Sequence, residues 1–133
     1  LTGDPFLSGH IESALRAMGA AVLCLPPLPL AGCDWELCGK RVYWHHEARL
    51  VREVLHYLSG AADGVVHLSC FGCGPDSMIA DLLAEWAKRN SRVPFITLTV
   101  DEHSGDAGFV TRLEAFMDMV EAATSENNVS THR

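Results

Sequence analysis

The sequence predicts a three-layer α/β sandwich around a small parallel sheet of three or four strands. Helical patterns alternate with short apolar runs along the chain, an order typical of βαβ units. The apolar runs are continuous rather than alternating, as in strands that helices cover on both faces. The 133 residues, 48% hydrophobic and 20% charged, fit one folded domain. We expect this α/β domain over residues 1–123 and a disordered polar tail over 124–133.

The first half of the domain is predicted to contain a helix, a strand and a long loop. The helix is expected over residues 9–18 and is closed by Gly19. Residues 20–25 are a short apolar run that predicts a buried strand. Three prolines within residues 26–29 exclude helix and central strand, so residues 26–42 are predicted to form a loop. A loop of this length often carries function.

The second half of the domain repeats the alternation of helix and strand. Apolar residues at three- and four-residue spacing predict one helix before the second strand, one after it, and one at the end of the domain. The two strands are short, apolar and rich in β-branched and aromatic residues. The predicted elements are a helix over 42–59, a strand over 65–68, a helix over 78–88, a strand over 94–100, and a last helix after the polar turn 101–108.

The strongest signal for chemistry is the turn after the second strand, residues 69–77, with the sequence SCFGCGPDS. Gly72 and Gly74 permit backbone angles that a side chain would forbid, and they let another group approach closely. Pro75 suits the first position of a helix, where its missing N–H is no loss. Cys73 would then lie beside a helix N-terminus, whose partial positive charge favours the thiolate. A thiolate is the form that binds metals and attacks disulfides.

Four loops are predicted to meet at the carboxyl edge of the sheet, where ligands of parallel α/β proteins bind. They are residues 3–5, 26–42, 69–77 and 101–108. Four of the five cysteines fall in these loops, together with Asp101, His103 and Asp106. His103 is a candidate general base or ligand, or part of a helix-capping cluster with its acidic neighbours, and Asp106 suits the cap of the last helix. The convergence of these side chains predicts a functional site at this edge.

Composition excludes several function classes. The formal net charge of −7 argues against nucleic-acid binding, which needs a basic face. No apolar run approaches the roughly 20 residues that span a bilayer. Five cysteines without a signal-peptide pattern indicate a reducing, cytoplasmic location. The first residue is Leu and a turn-like segment follows, so we expect a fragment of a longer protein, with Leu1 at the end of a strand.

Three kinds of chemistry compete for the cysteines. Cys70 and Cys73 match the Cys-x-x-Cys pattern of thiol–disulfide exchange. Four thiolates would make a structural zinc site from Cys33, Cys38, Cys70 and Cys73. Cys73 alone would serve as one ligand of an iron–sulfur cluster that other domains complete. Cys24, in the middle of a predicted strand, is expected to be a small core residue.

Two long motifs carry a resemblance to a known family. Residues 71–77, FGCGPDS, and 101–108, DEHSGDAG, followed by TRLEAF at 111–116, resemble the CoA-substrate-specific enzyme activases and activator-related proteins of anaerobic metabolism. These proteins are linked to the 2-hydroxyacyl-CoA dehydratases and benzoyl-CoA reductases. The resemblance covers roughly residues 3–119. One departure is Cys70, which stands where relatives often carry Ser or Asn.

The resemblance implies a flavodoxin- or Rossmann-like, dehydratase-like lobe rather than the family's ATPase module. In such proteins an iron–sulfur cluster is held through one cysteine per lobe or linker. Cys73 becomes the candidate cluster ligand, and Asp76 and Ser77 would shape the helix start beneath it. The remaining site-lining residues would be Gly72, Gly74, Asp101, His103 and Asp106.

The implied function is low-potential electron transfer to an acyl-CoA or to a partner protein. The implied partners are the other lobes of a longer protein and an ATPase module of the actin-like type. The other cluster ligands would lie outside this chain. We therefore expect the isolated domain to carry no cluster and to be catalytically silent.

Overall fold

The computed structural model describes residues 5–23, 35–37, 39–42, 44–100 and 106–130. Four helices and four short strands follow one another in these ranges. In chain order they are α1 Pro5–Ala17, β1 Trp35–Leu37, β2 Lys40–Val42, α2 His45–His56 with a π turn Tyr57–Ala61, β3 Val65–Cys70, α3 Gly74–Asn90, β4 Phe95–Val100 and α4 Asp106–Ser130.

A parallel pair of strands, β3 and β4, forms the centre of the molecule. Their register runs from Val65 opposite Phe95 to Cys70 opposite Val100. Val, Leu, Ile, Phe and Thr supply most of both strands, because such side chains fit a pleated surface that is packed on both sides. The helix α3 connects the two strands, as a parallel pair requires.

Two apolar clusters lie on opposite faces of this pair. Val65 and Phe95 pack into the first cluster, which α2, α3 and the β1–β2 hairpin complete. Val66, Leu68 and Ile96 pack into the second cluster, which α1 and α4 complete. Successive strand residues point to opposite faces, so one short sheet serves two cores. The predicted α/β class is confirmed.

The parallel sheet is smaller than the predicted three or four strands. Within the described ranges it has two strands, β3 and β4. Residues 20–23, the described part of the predicted strand over 20–25, form neither helix nor ladder. Ala20 and Val22 nevertheless pack into the second cluster. An extended segment becomes a strand only when a neighbour pairs with its backbone, and the described residues supply none.

The predicted loop over 26–42 contains a short hairpin. β1 and β2 pair antiparallel, with Trp35 opposite Val42, and Gly39 takes a φ of +72° in the turn between them. Leu37 and Val42 are buried in the first cluster, so the hairpin covers that core. Consequently the predicted helix over 42–59 begins later, at His45, and it ends in the π turn.

The last helix is longer than expected. α4 continues to Ser130, so residues 124–130 of the predicted disordered tail are helical, and residues 131–133 lie outside the described ranges. The Thr124 and Ser125 hydroxyls donate hydrogen bonds to the Val120 and Glu121 carbonyls one turn earlier. Side chains that bond back along the helix in this way leave it intact.

No helix in the described part of the chain is both long and apolar enough to cross a membrane.

We predict that Gly64→Ala destabilises the protein by about 1–3 kcal/mol, because the added methyl overpacks the contact with α4. A Cβ at Gly64 would lie 2.7 Å from Phe116 Cζ and 2.7 Å from Val120 Cγ2. Urea unfolding measures the loss. Gly108→Ala is the matched control: it meets nothing within 4 Å and should be neutral or stabilising. Equal stability of the two variants would contradict this packing.

Candidate functional site

The cysteine turn joins the carboxyl end of β3 to the start of α3. Cys70 is the last residue of β3, and Cys73 is the N-cap residue of α3. The Cys73 N–H donates to the Cys70 carbonyl over 3.2 Å, and the Phe71 N–H donates to the Val100 carbonyl of β4 over 3.0 Å. Gly72 has a φ of +80°, which a side chain would disfavour. The predicted strand-to-helix turn is confirmed.

The first turn of α3 is closed by hydrogen bonds to the Cys73 carbonyl and not by the Cys73 thiol. The Ser77 N–H and the Ser77 hydroxyl donate to the Cys73 carbonyl over 3.0 and 2.9 Å. Pro75 occupies one of the first two helical positions, where no N–H is needed. The Cys73 side chain makes no capping hydrogen bond. Its sulfur is therefore not committed to holding the helix start.

Asp76 connects the helix to the strand beneath the turn. Its Oδ2 accepts a hydrogen bond of 3.3 Å from the Cys70 N–H, and its Oδ1 lies 3.3 Å from His67 Nε2. The Asp76 side chain is 16% exposed and the His67 side chain is 4% exposed. A carboxylate that is mostly removed from water is stabilised by such donors. Asp76 thus fixes the end of β3 and the start of α3 relative to each other.

His67 is a buried imidazole whose charge state depends on two opposing effects. Burial lowers its pKa below the ordinary value of 6.5, while the charge of Asp76 and its hydrogen bond act in the opposite direction. At neutral pH the ring is neutral and donates its Nε2–H to Asp76. Because the unfolded chain binds the proton more readily, His67 lowers stability as the pH falls below about 6.5.

Two buried polar atoms on the same face of the sheet lack a hydrogen-bond partner in the described residues. They are Nδ1 of His67 and Oγ1 of Thr97, and these two residues are opposite each other in the strand register. The ring of His67 also stacks on Phe95, with centroids 6.4 Å apart and planes at 15°. The face of the sheet toward α3 is therefore polar near its carboxyl end and apolar elsewhere.

The rim of the turn is open and partly apolar. Phe71 is 76% exposed and Met78 is 46% exposed. A Cβ built on Gly72 or Gly74 meets no atom within 4 Å, so both glycines border open space. The Ser91 hydroxyl donates to the Leu58 carbonyl over 2.7 Å, which holds the C-terminal ends of α2 and α3 together. The N-terminal ends of both helices therefore face the edge that carries the cysteine turn.

Several predicted site residues lie outside the described ranges. Among them are Asp101 and His103, and also Cys24, Cys33 and Cys38. Asp106 begins α4. The structure brings together Cys70, Gly72, Cys73, Gly74, Asp76 and Ser77. No group of three or more His, Cys, Asp or Glu side chains in the described residues is arranged to hold a metal ion. The four-thiolate zinc site stays a prediction, since half of it is not described.

His67 is the site residue that sequence reasoning missed. Sequence patterns do not place it in the site, because periodicity does not show that this histidine is buried. One signal was present in the sequence: a histidine stands inside an apolar strand, and an aspartate follows nine residues later in the first turn of a helix. In a strand–turn–helix unit, that spacing allows the carboxylate to fold back over the strand.

No protein-family model, curated protein or solved structure matches this chain.

We predict that Asp76→Asn lowers the pKa of His67 further, because both effects that raise it come from the Asp76 carboxylate. The pH titration of the His67 ring protons by NMR measures the change. Asp81→Asn is the matched control, since Asp81 lies on the exposed side of α3. An unchanged or raised pKa of His67 in Asp76→Asn would show that the two side chains are not in contact.

Proposed function

We propose that this chain is one lobe of a cytoplasmic iron–sulfur protein in which Cys73 ligates the cluster. The lobe would be a three-layer, flavodoxin-like unit of a longer protein related to the 2-hydroxyacyl-CoA dehydratases and their activators. Other lobes would supply the remaining ligands, and an ATPase module would supply the electron. The acceptor would be an acyl-CoA or a partner protein.

One observation carries this proposal: the Cys73 thiol is available at an open helix start. It makes no capping bond, it stands between two glycines that border open space, and it lies at the carboxyl edge of the parallel strands. The positive end of the α3 dipole stabilises an anionic ligand there. The motif resemblance points to the same residue.

The described residues fit one ligand of a shared cluster and not a complete site. An iron–sulfur cluster is commonly held by four cysteine thiolates. Here Cys70 and Cys73 are the free cysteines in the described ranges, and no third metal-binding side chain joins them. A cluster bound at Cys73 would therefore need ligands from outside this part of the chain. When bound, it would supply one-electron redox chemistry at low potential.

The neighbouring residues would position the thiol and limit its contact with water. Gly72 supplies the turn, and the hydrogen bond from the Cys70 N–H to Asp76 fixes the strand end below it. Phe71 and Met78 form an exposed apolar rim that a second lobe would cover. Covering this rim would lower the local dielectric around the thiol and strengthen its electrostatic interactions.

A second candidate function is thiol–disulfide exchange between Cys70 and Cys73. The specific observation is the hydrogen-bonded four-residue turn that the two cysteines close. Such turns hold their end Cα atoms within about 7 Å, and disulfides need about 4.4–6.8 Å. The two thiols would give two electrons and two protons to an incoming disulfide, which would leave as two thiols.

Anaerobic iron and sulfide analysis with EPR on the full-length protein tests the first candidate. Cys73→Ser should lose or alter the cluster, because the hydroxyl is a poorer ligand than the thiolate. Cys70→Ser is the matched control and should keep the cluster. Reduction of a disulfide substrate by the reduced proteins, measured on the same variants, should instead fail in both if the second candidate is right.

The iron–sulfur proposal would be overturned if the wild-type protein contained no iron. It would also be overturned if the cluster were unchanged in Cys73→Ser. Loss of the cluster in Cys70→Ser but not in Cys73→Ser would show that Cys70, and not Cys73, is the ligand.

A further inference from the structure

The outer edge of β3 has unpaired backbone groups. In the parallel register, the N–H and C=O groups of Val65, His67 and Ser69 face β4. The Val65 N–H donates to the Pro94 carbonyl over 2.9 Å. The same groups of Val66 and Leu68 must therefore face away from β4. None of them has a hydrogen-bond partner in the described part of the chain.

The open stretch is bounded, and the opposite edge of the sheet is protected. At the end of β3, Asp76 accepts the Cys70 N–H, and the Cys70 carbonyl accepts the Cys73 N–H. On the outer edge of β4, Arg112 donates to the Thr97 carbonyl over 2.7 Å. Arg112 belongs to α4, and a charged side chain that covers a strand edge discourages further pairing there. At the centre of the β3 edge, the described residues provide no comparable contact.

β3 has the character of an interior strand. Val65 packs into the first cluster, while Val66 and Leu68 pack into the second. His67 and Ser69 are buried as well. Natural edge strands normally carry charges, prolines or bulges, and β3 has none of these. A strand that is covered on both faces and lacks edge protection is expected to have a neighbour on each side.

The handedness of crossovers shows which segment belongs at this edge. The step from β3 through α3 to β4 has its helix on the face of the first cluster. α2 lies on the same face, so right-handed connections place the apolar segment that precedes it, of which residues 20–23 are described, on the open side of β3. α1 lies on the opposite face, so a strand that enters α1 would lie between residues 20–23 and β3.

We infer that the open edge of β3 binds a parallel strand formed by the residues that lead into α1. This strand would be uncharged and apolar on both faces, because a cluster lies on each side of it. Residues 20–23 fit this arrangement: Ala20 and Val22 share the second cluster with Val66 and Leu68 but form no ladder. Residues 20–23 would lie beside the inferred strand, on its side away from β3. The pairing does not depend on any cluster at Cys73.

Residue-resolved amide hydrogen exchange tests this inference on the 133-residue chain and on the full-length protein, the longer protein to which the proposed function assigns it; to that extent the inference rests on the proposed function. In the chain alone, protection should alternate along β3: the amides that face β4 are slow, and those of Val66 and Leu68 are fast. In the full-length protein, the Val66 and Leu68 amides should exchange at least about tenfold more slowly. The amide of His67, which faces β4 in both, is the internal control.

Fast exchange at Val66 and Leu68 in the full-length protein would overturn the inference. Slow exchange at both amides in the chain alone would also overturn it. In that case a dependence on protein concentration would identify a second copy as the occupant, and independence of concentration would identify a segment of the same chain.

Discussion

The carboxylate of Asp76 is the contact on which the geometry of the cysteine turn depends. One oxygen accepts the Cys70 N–H and the other faces the buried ring of His67, each over 3.3 Å. Three elements of local structure are thereby fixed together: the end of β3, the start of α3 and the polar face of the sheet. Without this carboxylate, the Cys70 N–H and the His67 Nε2–H would lose their hydrogen-bond partner. Because both groups are mostly removed from water, the loss would destabilise the folded state.

The two faces of the β3–β4 pair differ in polarity. The face toward α1 and α4 is apolar along its length and holds the second cluster. The face toward α3 begins with Val65 and Phe95 and then turns polar at His67, Ser69 and Thr97. This change from apolar to polar occurs as the strands approach their carboxyl ends. The same short sheet therefore stabilises the domain at one end and supports the cysteine turn at the other.

Sequence patterns predicted the features that depend on local chemistry. Gly72, Gly74 and Pro75 specify a turn and a helix start by their backbone preferences alone, and the structure has both. The partners of a side chain are harder to predict. The contact between His67 and Asp76 forms only when α3 folds back over β3, so no periodicity shows it.

The strand predicted over residues 20–25 was wrong for residues 20–23 for a related reason. A strand needs a neighbour that pairs with its backbone as well as apolar residues. The continuation of α4 through residues 124–130 shows that a polar composition does not by itself end a helix.

The central claim is that Asp76 holds the end of β3 through the Cys70 N–H. The most direct measurement is the hydrogen-exchange rate of the Cys70 amide in wild-type protein, in Asp76→Ala and in the exposed control Asp81→Ala. We expect exchange at Cys70 to be at least about tenfold faster in Asp76→Ala alone, with the His67 amide unchanged. A Cys70 amide that exchanges at the same rate in all three proteins would contradict the claim.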